Sequence, residues 1–146
     1  MSNETRERDI YLAKAMGWRY VPPGPETAEL YGDGVHCLRD PEGRLRATLF
    51  SSSVEDLWNH VTPQFHEWES AKAKLLRWLA ADDARWAAFL ITFEDIFKKV
   101  MAESDHWSPS WSRFLVTLTP AQVAEASEKA LRALCAEQEA SNAASQ

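Results

Sequence analysis

The sequence has 146 residues, a length that fits one ordinary domain and is short for two. Hydrophobic residues make up 45% of it, and seven Trp, six Phe and three Tyr supply enough large side chains for a sizeable core, which argues against wholesale disorder. The formal net charge of −6 argues against direct nucleic-acid binding and against attraction to anionic membranes, because both call for a basic patch.

The first third of the chain predicts a helix, a loop and a β-hairpin. Apolar residues near one face predict a helix over residues 4–16, and Gly17 follows as a left-handed cap, with Trp18 placed to fold back onto the last turn. Three prolines and three glycines predict a loop over residues 21–34. Two short alternating runs around a proline–glycine turn predict a hairpin over residues 35–50.

The middle of the chain predicts three helices. Ser52 and Glu55 have the spacing of a capping box, which predicts a short helix from Ser52. Thr62 followed by Pro63 predicts another helix start, with a hydroxyl at the cap and proline in the first turn. Apolar residues at spacings of three and four then predict a long amphipathic helix over residues 83–103.

The last third predicts a strand and a helix. Residues 113–118 have the β-branched and apolar content of a buried strand. Thr119, Pro120 and Gln122 form a second capping-box pattern that opens the final helix. Residues 139–146 are small and polar, which predicts a frayed C-terminal tail.

Together these elements predict an α+β fold. We expect a small layered α/β sandwich, in which a three-stranded, mainly antiparallel sheet is packed by about four to five helices. The hairpin 35–50 and the strand 113–118 would supply the sheet. Residues 1–138 would form a single domain, followed by the polar tail 139–146.

The two cysteines and the polar N-terminus predict a cytoplasmic protein. Cys37 and Cys135 lie far apart, residues 1–9 do not resemble a secretory signal, and no apolar run approaches the ~20 residues of a membrane span. Reduced thiols are expected in the cytoplasm. No sequence pattern indicates a cofactor.

Three pieces of the chain, in this order, resemble the phage ABA sandwich domain family, which is encoded largely by bacteriophages and prophages. The pieces are Leu12-Ala13-Lys14-Ala15-Met16-Gly17-Trp18, then Asp40-Pro41-Glu42-Gly43 leading to Phe50-Ser51-Ser52-Ser53 and Leu57-Trp58, and finally Thr119-Pro120-Ala121-Gln122-Val123-Ala124-Glu125-Ala126 running to Ala130-Leu131-Arg132-Ala133-Leu134. The middle of the chain, about 63–103, departs from the family pattern. The resemblance implies a layered α/β sandwich and a phage or prophage origin, which would place the protein in the cytoplasm of a bacterial host cell, and it implies no catalytic residues.

The histidines could hold a metal ion, but their spacing does not favour one. His60 and His66 flank a predicted helix boundary, and His106 lies in a later loop, without the paired spacing of a zinc site. Ordinary surface or partly buried histidines are the favoured interpretation. We therefore predict no metal site.

No residue pattern indicates catalysis. His36 and Cys37 are adjacent in a predicted strand, so their side chains point to opposite faces and cannot work as a pair. Cys37 is better explained as a small core residue. Carboxylates in the chain mostly occupy turns and caps, and there is no phosphate-binding glycine loop and no nucleophile elbow. We predict no catalytic residues.

Aromatic residues on loops are the best candidates for a binding site, because such side chains often anchor partners. Tyr20 and Tyr31 bracket the proline-rich loop, while His106, Trp107 and Trp111 share a later loop. A role at the ends of the core is the alternative for each of them. The wide aromatic face of the helix 83–103 could be buried within the domain or could form a homodimer interface.

Three functions remain open. The first is a phage accessory protein that binds a host protein or sequesters a small molecule and thereby inhibits a bacterial immune system. The second is a small hydrolase-like enzyme with a non-standard site among His60, His66, His106 and nearby acids. The third is a virion or assembly component, which the absence of repeats and heptads disfavours. The sequence favours the binding role over an enzyme.

Overall fold

The computed structural model describes residues 3–48, 53–103 and 118–145. These residues form six helices and a three-stranded antiparallel sheet, so the predicted α+β class is confirmed. The chain divides into two compact units, Met1–Gln64 and Phe65–Gln146, each of which is described by itself below. The single domain over 1–138 stays a prediction. None of the helices among the described residues combines the length and the apolar character needed to cross a membrane.

In the first unit, helix α1 leads directly into the sheet. α1 spans Asn3–Ala15, as predicted, and strand β1 spans Arg19–Val21. Gly17 has a φ of 106° and donates its N–H to the Lys14 carbonyl, while the Trp18 N–H bonds to the Ala13 carbonyl. Glycine suits this left-handed position because it has no Cβ to clash. The predicted helix stop is therefore confirmed.

The sheet has the order β1, β2, β3, with β2 at its centre. β2 spans Cys37–Arg39 and β3 spans Leu45–Arg46, and both neighbours of β2 run antiparallel to it. The hairpin predicted at 35–50 is confirmed over its described residues. The third strand is β1. The strand predicted at 113–118 lies outside the described residues, except for Leu118, which has no regular secondary structure.

A buried carboxylate organises the turn between β2 and β3. The Asp40 side chain accepts a hydrogen bond from the Arg44 backbone N–H at 2.8 Å and pairs with Arg46 Nε at 3.2 Å. Burial alone would raise the pKa of Asp40, but these contacts, with a further one from the Glu42 backbone, favour the charged form. The net result is a pKa lowered below the ordinary aspartate value.

The prediction of a loop over 21–34 is wrong for half of that segment, because helix α2 spans Pro25–Tyr31. Pro25 occupies the first turn, where proline's missing N–H costs nothing and its fixed φ suits the helix. Thr27 Oγ1 accepts a hydrogen bond from the Gly24 N–H and donates one to the Gly24 carbonyl. Residues that we interpreted as helix breakers thus build a helix start.

Helix α3 spans Val54–Val61 and contacts both β2 and α1. Its N-cap is Ser53, whose Oγ accepts a hydrogen bond from the Asp56 N–H at 3.1 Å, so the cap lies one residue after the predicted cap, Ser52. Across the α1–α3 contact, the Lys14 ammonium lies 5.0 Å from the Trp58 ring centre, a cation–π distance. The buried apolar residues of this unit include Leu12, Ala13, Cys37, Leu38, Leu45 and Leu57.

The predicted helix start at Thr62-Pro63 is wrong. Thr62 instead ends α3, and its hydroxyl donates to the Trp58 carbonyl at 2.6 Å. Residues 63–68 are not helical, and α4 begins at Glu69 and spans Glu69–Ala80. A threonine before a proline fits both roles, because the residue before proline is pushed out of the helical region and so also suits a helix end.

The second unit is a packing of α4, α5 and a final helix, α6, which spans Pro120–Ala144. α5 spans Asp83–Glu103, the range predicted from its apolar stripe. Asp82 caps it by accepting the Arg85 N–H at 2.9 Å. Among the described residues of this unit, the buried apolar side chains are Phe65, Ala71, Leu75, Leu79, Phe89, Phe93, Leu118, Val123, Ala124, Ala126, Ala130 and Leu131.

The start of α6 agrees with the sequence prediction, whereas its end differs from it. At its start, Thr119 and Gln122 exchange hydrogen bonds between side chain and backbone, which confirms the predicted capping box. Just before it, the buried Lys72 ammonium donates to the Leu118 carbonyl at 3.0 Å and also pairs with Glu69. At its end, the helix continues through Ala144, so most of the segment predicted to be a frayed tail is exposed helix.

Candidate functional site

Tyr20 and His36 form a stacked pair on the surface of the first unit. The Tyr20 hydroxyl and His36 Nδ1 share a hydrogen bond of 2.5 Å. Their ring centroids are 5.8 Å apart with an interplanar angle of 22°. Both residues are exposed, so the two rings contact each other without being buried in the core.

The strand register explains why these two side chains meet. Tyr20 lies opposite Leu38 in the β1–β2 pair, and His36 lies two residues before Leu38, immediately before the first residue of β2. Side chains at such diagonal positions share one face of a sheet and lie within reach of each other when they are aromatic. The pairing is therefore a property of the backbone register, which presents two adjacent rings in a defined orientation.

The chemistry of the pair suits recognition. When the tyrosine hydroxyl donates, His36 Nδ1 is the acceptor and the imidazole proton is on Nε2, which can then donate to a partner. The two ring faces add apolar area that can be buried on binding. A hydrogen bond between the two side chains limits their freedom, so less conformational entropy is lost when a partner binds.

Tyr31 does not join this pair. It is the last residue of α2, and its hydroxyl donates to the Leu45 carbonyl of β3 at 3.1 Å. Since β2 separates β1 from β3, Tyr20 and Tyr31 are associated with opposite edges of the sheet. The hydroxyl of Tyr31 ties α2 to the sheet, and the Glu26–Arg39 ion pair at 2.9 Å does the same. Tyr20 and Tyr31, the two described residues of the predicted set, are therefore not brought together, and Tyr20 pairs instead with His36, which lies outside that set.

His106, Trp107 and Trp111 lie outside the described residues, so their binding role stays a prediction. His60 is exposed on α3 in the first unit, and His66 is partly buried in the second, 4.0 Å from Glu67. Within the part of the chain that the structure describes, no three His, Cys, Asp or Glu side chains are grouped so as to hold a metal ion.

Cys37 is fully buried in β2, where burial raises the pKa of its thiol. A raised pKa disfavours the thiolate, which is the reactive form of cysteine. The side chain therefore behaves as a small core residue, in line with its interpretation from the sequence. Cys135 is exposed on α6, and both cysteines are free thiols.

The second unit contains a groove of about 450 Å³ on one side of α5 and α6. Its volume lies within the range of ligand pockets, ~300–1,000 Å³. Charges of both signs line it, including the Glu125–Lys129 ion pair at 3.3 Å. The lining residues are Thr92, Asp95, Ile96, Lys99, Gln122, Glu125 and Lys129. Sequence reasoning missed this groove because it depends on which helices pack together.

No protein-family model matches this chain, and neither does any curated protein or any solved structure. The functional interpretation is therefore based on the geometry of the described residues.

Proposed function

We propose that this protein acts by binding a partner protein, and that Tyr20 and His36 form part of the contact surface. The observation that supports this proposal is the exposed, hydrogen-bonded and stacked pair of Tyr20 and His36. Interface hot spots are enriched in tyrosine, and they are most effective where the side chain is already held in its bound position. A surface location, rather than an enclosed one, fits a protein partner better than a small molecule.

The setting of this binding is part of the proposal. The sequence resemblance to phage ABA sandwich domains supports a partner in the bacterial host, and inhibition of a bacterial immune system is the role that we propose for the complex. The cytoplasm of the host cell is the compartment in which the two proteins would meet.

Replacing Tyr20 with alanine is expected to weaken binding of the partner by about tenfold or more, because a tyrosine hot spot contributes at least ~1.4 kcal/mol. The fold should be retained, because Tyr20 lies at the surface with 36% of its area exposed. Thermal unfolding of Tyr20→Ala separates any loss of stability from the loss of binding. His36→Ala should weaken binding as well, and Tyr20→Phe, which keeps the ring but loses the hydrogen bond, should have an intermediate effect. The measurement is recovery of the partner from bacterial lysate, followed by a Kd for the purified pair.

Trp68→Ala is the matched control, because Trp68 is an exposed aromatic residue of the second unit and makes no side-chain cap hydrogen bond. It should leave the Kd unchanged. Equal binding by the wild-type protein and Tyr20→Ala would show that the pair is not part of the contact surface.

A small-molecule ligand is the second candidate, and the groove along α5 and α6 favours it. Polar groups of both signs beside the apolar Ile96 side chain suit a small zwitterionic compound. Native mass spectrometry of the purified protein distinguishes the two candidates. A co-purifying compound that is lost in Lys99→Ala would favour the groove, and its retention in that variant would exclude it.

A second copy of this chain is also proposed as a partner through α5. Ile91 is 67% exposed on this helix, and Leu90 beside it is exposed too. Two-fold contact between such side chains would remove apolar area from water. Sedimentation velocity should show a dimer that Ile91→Lys weakens by about tenfold. A wild-type protein that remains monomeric at every concentration would rule this interface out.

A further inference from the structure

The first unit contains a small polar cavity between α1 and α3, away from the Tyr20–His36 pair. Its volume is about 10 Å³. Two of its lining residues, Asp9 on α1 and Thr62 at the end of α3, are buried polar side chains. The full lining consists of Arg6, Asp9, Ile10, Trp58, Asn59, Thr62, Pro63 and Gln64.

Asn59, which lines this cavity, has a side-chain oxygen that lacks a hydrogen-bond partner. Its Oδ1 atom is buried and has no hydrogen-bond partner among the described residues. A buried acceptor without a partner is costly, so native structures normally satisfy such groups with protein or with an ordered water molecule. Thr62 cannot serve as the donor, because its hydroxyl already donates to the Trp58 carbonyl.

The size and the charge of the cavity determine which kind of ligand fits in it. A cavity needs ~10–15 Å³ to hold one water molecule, so this one has space for a single water and nothing larger. Arg6 and Asp9 both line the cavity, so the two opposite charges offset each other and the lining has no net negative charge to attract a cation. The lining also offers both donors and acceptors, which a water molecule uses at the same time.

We propose that this cavity binds one ordered water molecule that links α1 to α3. The water donates one hydrogen bond to Asn59 Oδ1 and a second to an acceptor on the opposite wall, either Thr62 Oγ1 or the Asp9 carboxylate. Asp9 also interacts elsewhere, but a carboxylate has about four acceptor positions and can take an additional hydrogen bond. Arg6 and Gln64 can donate to the water oxygen.

Water–protein nuclear Overhauser measurements on the full chain test this site. We expect cross-peaks from a long-lived water both to the Asn59 side-chain amide and to Thr62, which lines the same cavity. In Asn59→Leu, which has a similar size and no acceptor, the corresponding cross-peaks to Thr62 should disappear while the fold is retained. Asn142→Leu, on the exposed end of α6, is the matched control and should leave them unchanged. Persistence of the Thr62 cross-peaks in Asn59→Leu would overturn the proposal.

A high-resolution crystal structure of the unaltered protein provides a second test that does not depend on a variant folding. It should show a water oxygen ~2.7–3.2 Å from Asn59 Oδ1. An empty cavity, a bound cation, or an Asn59 amide turned so that its nitrogen bonds directly to Asp9 would each refute the site.

Discussion

Replacing Phe93 with alanine is expected to lower the free energy of unfolding of the second unit by about 3–5 kcal/mol. Phe93 is only 2% exposed, and its ring lies 5.9 Å from that of Phe89, which in turn stacks on Trp86 at 5.4 Å. The substitution removes buried apolar area and leaves a cavity in the contact of α5 with its neighbours. Because domains are stable by only ~5–15 kcal/mol, much of this unit's stability would be lost.

Urea unfolding followed by circular dichroism measures this loss. Phe93→Leu should cost less, because a leucine fills part of the space. Glu94→Ala on the same helix should change stability by less than about 0.5 kcal/mol, since Glu94 is exposed and its ion pair with Lys98 is screened by solvent. If Phe93→Ala were as stable as Glu94→Ala, the assignment of Phe93 to the core would be wrong.

Replacing Asp40 with alanine is expected to cost the first unit about 2–3 kcal/mol, the range for hydrogen bonds to charged groups plus the penalty of an unpaired buried donor. Asp40 is 4% exposed and holds the turn through the Arg44 backbone N–H. The Arg46 contact adds little, because half of that side chain is exposed and solvent screens the pair. Thermal unfolding of the variant and the parent protein measures the difference.

The same carboxylate gives the stability a defined pH dependence. The pKa of Asp40 is lowered in the folded state, which means that folding favours the charged carboxylate. The stability that this carboxylate contributes is therefore complete above the pKa of an aspartate in the unfolded chain, ~3.9. The contribution is then lost as the pH falls through the lower, folded pKa. Asp40→Asn, which cannot titrate, should lack this component. If the stability of Asp40→Asn fell at low pH as steeply as that of the parent protein, Asp40 would not be the cause of the acid-dependent loss.

Several elements could be predicted from the sequence because their signals are local. The stop of α1 needs only a glycine at the left-handed position, and Gly17 supplies it. The start of α6 needs only the reciprocal side-chain bonds of Thr119 and Gln122. The bounds of α5 follow from an apolar stripe that persists over many residues, with Asp82 as a cap.

The remaining elements depend on information that local patterns do not contain. β1 has three residues and forms only because its backbone pairs with β2, some eighteen positions later in the chain. α2 lies among prolines and glycines that equally well fit a loop, and its start depends on the particular hydrogen bonds of Thr27. The start of α4 does not follow from Thr62-Pro63, because a threonine before a proline can end a helix as readily as it begins one.

The candidate site could be predicted only in part for the same reason. Tyr20 is recognisable as an aromatic residue beside a loop, whereas its partner His36 is identified only by the register of β1 against β2. Tyr31 has the same sequence signature as Tyr20, but its hydroxyl bonds to the Leu45 carbonyl, so it has a structural role. Aromatic composition predicts the kind of residue, and strand pairing determines which residues act together.

Site-specific photocrosslinking tests the proposed binding surface most directly. The protein would carry p-benzoylphenylalanine in place of Tyr20, or in place of Trp68 as the control, and would be irradiated in the bacterial host. We expect one adduct of defined mass from position 20 and no such adduct from position 68, and His36→Ala should reduce the yield. Equal crosslinking at both positions, or a position-20 yield unaffected by His36→Ala, would contradict binding through the Tyr20–His36 pair.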